Sequence, residues 1–393
     1  MRVTRRKFVA VAGLGALAGC TGSGGSGADG DEDADPDGGG GGDGGEGSAS
    51  GGDDLNSVGE VTPTTTEPSS IDEAIPTAEE ALPLSRAPDE LRSLAVSGGP
   101  PKDGIPSIDN PVFVGPREAD FLESGDPVFG VARNGEIKAY PQKILVQHET
   151  VNDHLGDEPV AVTYCPLTGT VQGFQRGKTT FGVSGRLINN NLIMYDRATE
   201  AWWPQIPATS IPGPWHDDPG THSLREFRLV WTTWEQWLEQ HPGTWVLSTE
   251  TGSARNYSND PYGAYNPPTG YYTSEKTLFQ TLSEDDRFSK KRVFMGARTP
   301  AGAVAFDKET LLEEGTMTGQ IGDTPVVAVT DPRFDTGYVY LNPEERQVAF
   351  EDGTVLLEGA EHDPDGLPLT RVHTFDAMWF AWIGYYPESN VYA

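Results

Sequence analysis

Positive charge is scarce in this 393-residue chain, which has 28 Lys and Arg residues against 59 Asp and Glu residues and a formal net charge of −31. Proteins that capture nucleic acid or anionic lipid electrostatically need clustered positive charge. The composition therefore excludes this mode of binding, and we expect no nucleic-acid partner. Residues 86–393 alone hold 24 basic and 43 acidic residues, so the acidity is spread along the chain, as it is on surfaces that stay hydrated in concentrated salt. We predict a halophilic protein.

The N-terminus lacks an apolar run of the roughly 20 residues that a membrane-spanning helix needs, because the run at residues 8–18 is much shorter. Arg5 and Arg6 precede this run, and Leu-Ala-Gly-Cys ends it at Cys20. Paired arginines before a short hydrophobic stretch match a twin-arginine export signal, and the ending resembles the lipobox of lipoproteins. We predict that residues 1–20 are this signal and that lipid on Cys20 anchors the protein at the extracytoplasmic face of the cell membrane.

Residues 21–85 differ in composition from the rest of the chain. Residues 21–60 hold 16 of the 48 glycines, together with 11 acidic residues and no basic residue. A Thr/Pro-rich stretch follows. Chains of this composition cannot bury enough apolar surface to fold alone. We predict a disordered acidic stalk over residues 21–85.

The remaining body contains a repeated pattern. The sequence Val-Phe-Gly-Val-Ala-Arg at residues 128–133 returns as Val-Phe-Met-Gly-Ala-Arg at 293–298, and the Trp-x-x-Trp motif at Trp234 returns at Trp379. Further matches between these two stretches occur in the same order along the chain, and four such matches are not expected by chance. Self-similarity of this kind indicates a structural repeat. We predict a first unit at residues 104–250 and a second, degenerate unit at residues 290–393.

The first unit has recognisable local signals. Residues 129–140 alternate around Asn134-Gly135, which predicts a β-hairpin with a type I′ turn. Residues 141–154 are loosely helical, residues 160–164 form an apolar β-branched run, and Trp231, Trp234 and Trp237 recur at helical spacing. These tryptophans are typical of a core-facing stripe. The expected fold is therefore α+β and rich in β-structure, with two degenerate tandem repeats forming one compact body.

Cysteine is rarer still, since the chain has only two. If lipid occupies Cys20, then Cys165 is the one remaining thiol, and no intramolecular disulfide can form. An unpaired thiol outside the cell is either buried and inert, bound to a soft metal, or used chemically. Cys165 lies where the predicted strand at residues 160–164 meets a Gly-containing turn, a position from which a side chain can reach a cleft.

Three polar residues precede this strand. His148, Glu149 and Asn152 offer a base, a carboxylate and an amide, and on a helix His148 and Asn152 would share a face. One hypothesis is a thiol enzyme in which His148 deprotonates Cys165 and Glu149 or Asn152 orients the imidazole. In this hypothesis the Gly/Asn-rich residues 182–191 supply backbone donors to an oxyanion.

A second hypothesis is a binding module. Cys165 and His148, with Met194 or Glu149, would hold a soft metal such as copper or a zinc ion, or would line a pocket for a small ligand. A third hypothesis is a surface-layer protein that contacts other cell-surface proteins and has no such site. In the second repeat, the position of His148 is Glu314, and Asp331-Pro332 stands in place of Tyr164-Cys165-Pro166. The reactive groups therefore occur in the first unit alone.

Several motifs resemble the domain-of-unknown-function family numbered 3179. They are QHETVND at 147–153, VTYCPLTGT at 162–170, FGVSGRL at 181–187, NLIMYDR at 191–197 and WFAW at 379–382. The resemblance runs from about Gly104 to the C-terminus and implies a secreted or lipid-anchored protein without implying a reaction. Members usually carry a second cysteine three residues after the first, where this chain has Thr168. Functions that need a pair of cysteines are therefore not expected here.

Overall fold

The computed structural model describes residues 70–393. The predicted export signal, the predicted lipidation residue Cys20 and most of the predicted stalk lie outside these residues. The described body is α+β and rich in β-structure, as predicted. We call residues 113–247 the N-terminal module and residues 293–392 the C-terminal module.

Thirteen strands lie before residue 250. They are β1 (Val96–Ser97), β2 (Phe113–Val114), β3 (Pro127–Arg133), β4 (Glu136–Pro141), β5 (Thr150–Leu155), β6 (Glu158–Cys165), β7 (Thr170–Gln175), β8 (Phe181–Ile188), β9 (Asn191–Asp196), β10 (Trp202–Pro204), β11 (Glu226–Phe227), β12 (Val230–Thr233) and β13 (Trp245–Leu247).

Eleven more strands belong to the C-terminal module. They are β14 (Val293–Thr299), β15 (Gly302–Asp307), β16 (Thr316–Ile321), β17 (Thr324–Asp331), β18 (Thr336–Leu341), β19 (Val348–Glu351), β20 (Thr354–Leu357), β21 (Ala360–His362), β22 (Thr370–Val372), β23 (Thr374–Met378) and β24 (Asn390–Tyr392).

The helices are short. They are α1 (Ile71–Ala74), α2 (Pro88–Ser93), α3 (Gln142–His148), α4 (Trp234–Gln240), α5 (Lys308–Glu314) and α6 (Trp379–Tyr385), with 3-10 turns at Pro116–Glu118 and Gly270–Thr273. None of the helices within residues 70–393 is both long enough and apolar enough to cross a membrane.

The two modules share an order of strands. The N-terminal module has sheets β12-β3-β4-β13-β2 and β11-β7-β6-β5, and the C-terminal module has sheets β23-β14-β15-β24 and β22-β18-β17-β16. Each has an antiparallel hairpin, which only β2 precedes in the N-terminal module, and the strand after the Trp-bearing helix pairs in parallel with the second hairpin strand. That this common order reflects a duplicated sequence stays a prediction. The sheet β1-β8-β9-β10 and the small sheet β19-β20-β21 complete the described body.

The hairpin prediction is confirmed in the N-terminal module. Asn134 and Gly135 both have positive φ angles, 52° and 80°, and Arg133 pairs with Glu136 across the turn. Positive φ at both central residues defines the type I′ turn, whose twist matches that of the flanking strands. The core interpretation of the tryptophans is also confirmed, since Trp234 and Trp237 are buried.

Each module docks its Trp-bearing helix on a glycine of its hairpin. A Cβ atom on Gly130 would lie 2.2 Å from the ring of Trp237, and one on Gly296 would lie 1.9 Å from the ring of Trp382. Both distances are far below van der Waals contact. The absence of a side chain on the strand is therefore what lets each indole ring lie against the sheet.

The predicted helix over residues 141–154 is confirmed up to His148 and is wrong after it. Helix α3 ends at His148, because Glu149 adopts a left-handed conformation with φ of 58°. The β-branched Thr150 and Val151 then begin strand β5, which pairs with β6 from Thr150 opposite Thr163. Asn152 thus lies on a strand, and it does not share a helix face with His148. Trp231 likewise lies in β12 and not in the helix that begins at Trp234.

The C-terminal end of the predicted stalk contacts the body. Ile71, Ala74 and Ile75 are buried, and the N–H of Lys178 donates a hydrogen bond to the carbonyl of Ala74 over 2.9 Å. The N–H of Ala78 donates to the carbonyl of Ser223 over 2.8 Å. These apolar side chains hold residues 70–78 against the body by hydrophobic packing. The mainly polar composition of the segment does not predict this contact.

The glycine contacts lead to a stability prediction. We expect Gly130→Ala and Gly296→Ala each to lower the free energy of unfolding by about 3 kcal/mol, because the added methyl group overlaps a buried indole ring. Chemical denaturation in constant salt measures this change. Gly243→Ala is the control, since nothing lies within 4 Å of its added Cβ, and its effect should stay within about 0.5 kcal/mol. Equal effects at all three positions would contradict the prediction.

Candidate functional site

Cys165 is the last residue of β6 and is buried, with 1% of its surface exposed. Its Sγ–H donates to the carbonyl of Asn190 over 3.4 Å. It is the one free cysteine among the described residues. Burial, and to a smaller extent the charge of Glu149, raise the pKa of the Cys165 thiol to about 11. The thiol therefore keeps its proton at neutral pH.

Glu149 lies beside this thiol. The N–H of Tyr164, the residue before Cys165, donates to the Glu149 carbonyl over 2.8 Å. Only 7% of Glu149 is exposed, and burial alone raises the pKa of its carboxyl group to about 8. The carboxyl group makes no hydrogen bond within residues 70–393, and its oxygens keep a small solvent-exposed area.

The backbone of Glu149 is also unusual. A left-handed φ costs a non-glycine residue about 1 kcal/mol or more. The C-terminal module ends helix α5 with Gly315, which adopts φ of 80° at the corresponding place without this cost. Glutamate at this position is therefore unfavourable in its backbone and in the burial of its carboxyl group.

A lysine and three tyrosines lie within electrostatic range of Cys165. A negative charge on Cys165 would raise the pKa values of Lys291, Tyr262, Tyr271 and Tyr385. Burial lowers the pKa of Lys291 to about 7. Its Nζ atom has no hydrogen-bond partner and lies 3.3 Å from the ring centroid of Tyr271. Sequence reasoning missed these residues, because their only link to Cys165 is tertiary.

His148 points elsewhere. Its Nδ1 lies 2.7 Å from the carbonyl of Pro106, and its Nε2 lies 2.7 Å from Oη of Tyr257. A carbonyl can only accept, so Nδ1 carries the hydrogen and Nε2 accepts from Tyr257. Burial lowers the pKa of His148, which favours this neutral form. The structure thus does not bring His148 and Cys165 together as a hydrogen-bonded pair; His148 ties two loops to helix α3.

Asn152 and Met194 have structural positions. The Asn152 side chain donates to Asp109 and to the carbonyl of Phe181, over 2.7 and 2.8 Å, and accepts from the N–H of Phe181. It therefore links β5 to β8. Met194 is buried in β9, in the same apolar cluster as Cys165. In the predicted oxyanion segment, Asn190 offers the thiol a carbonyl acceptor and not an N–H donor.

That Cys165, His148 and Met194 hold a metal ion stays a prediction. Within the part of the chain that the structure describes, no three or more His, Cys, Asp or Glu side chains are grouped so as to hold a metal ion. The geometry joins Cys165 with Glu149 and leaves His148 apart.

The model of one protein family matches residues 102–389, which include the N-terminal module, the C-terminal module except β24, and every residue of this cluster. The chain belongs to the family described as Protein of unknown function (DUF3179). This confirms the resemblance seen in the motifs. No curated protein and no solved structure matches the chain.

The C-terminal module of this DUF3179 protein has a different side chain at the end of the corresponding strand. Strand β17 ends at Asp331, as β6 ends at Cys165. Asp331 is fully buried but is neutralised by Arg333, whose Nη2 lies 2.8 Å from its carboxylate. A buried carboxylate with a partner is a structural ion pair. The Cys165 and Glu149 pair has no such neutralising partner, which distinguishes the N-terminal module of this DUF3179 member as the candidate site.

Glu149 makes stability depend on pH. Its pKa is about 8 in the folded chain against an ordinary 4.5, so unfolding releases a proton between these values. Stability from this group is complete below pH 4.5 and is lost as the pH rises towards 8, by about 4 kcal/mol. We expect Glu149→Gln to remove this loss, as measured by denaturation between pH 5 and pH 8.5.

The exposed Glu239 on helix α4 supplies the control for this measurement. Glu239→Gln should unfold with the same pH dependence as the unaltered protein. Parallel curves for Glu149→Gln and the unaltered protein would show that the Glu149 carboxyl group is solvated, and the pKa assignment would then be wrong.

Proposed function

We propose that this protein is an extracytoplasmic, lipid-anchored binding module that takes a small uncharged polar molecule at a site formed by Cys165, Glu149 and Lys291. The carrying observation is Glu149, which is buried beside the thiol, unpaired, and held in a left-handed backbone. The anchoring is proposed from the signal and Cys20 in the sequence. His148 is replaced in this proposal by Glu149 as the partner of the thiol.

Unfavourable groups are informative about function. Backbone strain and strongly shifted pKa values concentrate at functional sites, because folding alone gives no reason to keep them. Glycine would serve the turn at Glu149 better, as Gly315 does in the other module. The Nζ of Lys291 is a second buried polar group without a hydrogen-bond partner. Both observations support a ligand that supplies the missing contacts.

The pKa values indicate the charge of that ligand. Between about pH 7 and pH 8, the Cys165 thiol and the Glu149 carboxyl group hold their protons, and Lys291 loses its proton. All three groups are then largely uncharged. A buried site without charge disfavours an ion, because the ion would lose its hydration without gaining a counter-charge. An uncharged molecule with hydrogen-bond acceptors, such as an amide, matches the donors of the site.

A soft metal ion at Cys165, such as copper or zinc, is a weaker proposal. Metal binding would displace the protons of both the thiol and the carboxyl group. The two ring nitrogens of His148 are already engaged by Pro106 and Tyr257.

A thiol enzyme is the second candidate function. The observation that favours it is the electrostatic contact of Glu149 with Cys165, since an ionised Glu149 could accept the thiol proton as a general base. This role replaces the one that the sequence assigned to His148. The two candidates predict opposite effects of neutralising Glu149.

Alkylation of Cys165 distinguishes the charge preference of the site. Iodoacetamide and iodoacetate are similar in shape but differ in charge, and peptide mass spectrometry reads Cys20 and Cys165 separately. In molar salt, which screens the acidic surface, we expect the iodoacetamide to iodoacetate rate ratio at folded Cys165 to exceed that of the unfolded chain by about tenfold, equivalent to roughly 1.4 kcal/mol. Acetamide should slow the reaction. Equal ratios, or no effect of acetamide, would overturn the binding proposal.

Glu149→Gln separates binding from catalysis in the same assay. If Glu149 acts only through its charge, its removal lowers the pKa of Cys165, and alkylation at pH 9 becomes faster. If Glu149 is a general base, alkylation becomes slower. His148→Gln is the matched control and should leave the pH midpoint of alkylation unchanged, because neither ring nitrogen contacts the thiol. A thiol that stays unreactive in every variant would favour a protein without a site here.

A further inference from the structure

A cavity of about 270 Å³ lies between the two modules, and Cys165 is not among its lining residues. Arg228 and Trp237 line it from residues preceding β12 and from α4, and Arg333, Phe334, Tyr338 and Arg371 line it from the C-terminal module. Three arginines around one cavity stand out in a chain of net charge −31. The function proposed above does not involve these residues.

Arg228 has no carboxylate partner in this cavity. Its Nη1 donates to the carbonyl of Thr374 over 2.8 Å and to the hydroxyl of Thr374, and its Nη2 donates to the hydroxyl of Thr336 over 2.7 Å. All three acceptors are neutral, and the buried Nε has no partner. A guanidinium group has five N–H donors, so these bonds leave Arg228 without a directly bonded carboxylate and with one Nη2 donor free besides the buried Nε.

Arg371 lies against the same aromatic ring. The guanidinium groups of Arg228 and Arg371 are 4.9 and 5.6 Å from the ring centroid of Tyr338. The one polar contact of the Arg371 side chain is a long 3.4 Å hydrogen bond to the backbone carbonyl of Asp365, within the described residues. Two like charges thus share a small space, and each repels the other unless an anion joins them.

The acidic residues nearby make no carboxylate hydrogen bond to Arg228 or Arg371. Asp376, whose charge raises the pKa of Arg228, pairs with Lys308. Asp331, Asp363 and Asp365 all pair with Arg333, at distances of 2.8, 3.7 and 2.9 Å. Asp365 is the only acidic residue among those lining the cavity. The positive charge of Arg228 and Arg371 therefore faces the cavity without a matching carboxylate.

The remaining wall is aromatic. The rings of Trp237 and Phe334 are 5.6 Å apart, and the ring of His241 lies 4.2 Å from Trp237 and 5.9 Å from Phe334. Apolar surface beside a pair of charged donors is the common composition of a small-molecule site. The cavity volume is close to the lower limit of such sites, about 300 Å³.

We propose that this cavity binds a small carboxylate with an aromatic or other apolar body. The carboxylate would accept hydrogen bonds from Arg228 and Arg371, a geometry in which guanidinium groups bind carboxylates well. The apolar body would lie against Trp237 and Phe334. The module interface would then be a second binding site, selecting an anion where the thiol site selects an uncharged molecule.

Calorimetric titration of the full-length protein with benzoate tests this proposal, in buffer of constant molar sodium chloride. We expect benzoate to bind, and Arg371→Gln to weaken binding by about tenfold or more, because one charge-assisted contact is lost. Arg371 is exposed, so this variant should fold even if Arg228→Gln does not. Arg186→Gln, which alters an exposed arginine elsewhere, should bind like the unaltered protein.

Two further probes define the ligand class. Benzyl alcohol has the same ring without the charge and should not bind, whereas binding equal to that of benzoate would overturn the role of the arginines. Sulfate should compete weakly, and displacement of benzoate by equimolar sulfate would overturn the role of the aromatic wall. Failure of benzoate to bind the unaltered protein, or equal binding to Arg371→Gln, would overturn the proposal as a whole.

Discussion

The hydrogen bond from the N–H of Tyr164 to the carbonyl of Glu149 is the constraint on which the candidate site depends. It continues the ladder of β5 and β6 by one residue, past the pairing of Thr150 with Thr163. Helix α3 must end abruptly for this pairing to begin, which forces Glu149 into its left-handed conformation. The same bond places the Glu149 side chain next to the end of β6, where Cys165 lies. Backbone strain and the proximity of thiol and carboxyl group are therefore two results of one register.

The two modules have one arrangement of strands but different side chains at equivalent positions. Both end a helix with a left-handed residue, and both place a polar side chain at the end of the central strand. In the C-terminal module these residues are Gly315 and an Asp331 that Arg333 neutralises. In the N-terminal module they are Glu149 and Cys165, which leave buried polar groups without counter-charges. The difference lies in side chains and not in backbone, because the shared sheet order leaves these positions equivalent.

Charged side chains in this protein also differ in whether they have a partner of opposite charge. The sequence is strongly acidic, and eight of the sixteen arginines within residues 70–393 pair with carboxylates, as Arg292 does with Asp307. Arg228 and Arg371 are among the arginines without such a pair, and they lie where the modules meet. Uncompensated positive charge in an acidic body has a long-range cost, and a bound anion would remove that cost locally. The thiol site, largely uncharged near neutral pH, and the arginine cavity would thus select different classes of molecule.

The sequence by itself determined the features that depend on neighbouring residues. Asn134-Gly135 specified its hairpin through local backbone preference, the tryptophans of α4 were recognisable as core by their spacing, and the motifs around Cys165 identified the family. Glu149 was among the candidate residues for the same reason, since it stands close to Cys165 along the chain.

Only the tertiary structure decided which of these residues meet. The spacing of apolar residues predicted a helix that includes Asn152. Residues 150–155 instead pair with β6 as a strand, which separates Asn152 from His148. His148 found its partners in Pro106 and Tyr257, and Cys165 came within range of Lys291, which lies in the segment that joins the modules. The cavity with Arg228 and Arg371 exists only because two modules are in contact. Contacts across such long separations follow from the packing of whole sheets, which the spacing of residues along the chain does not encode.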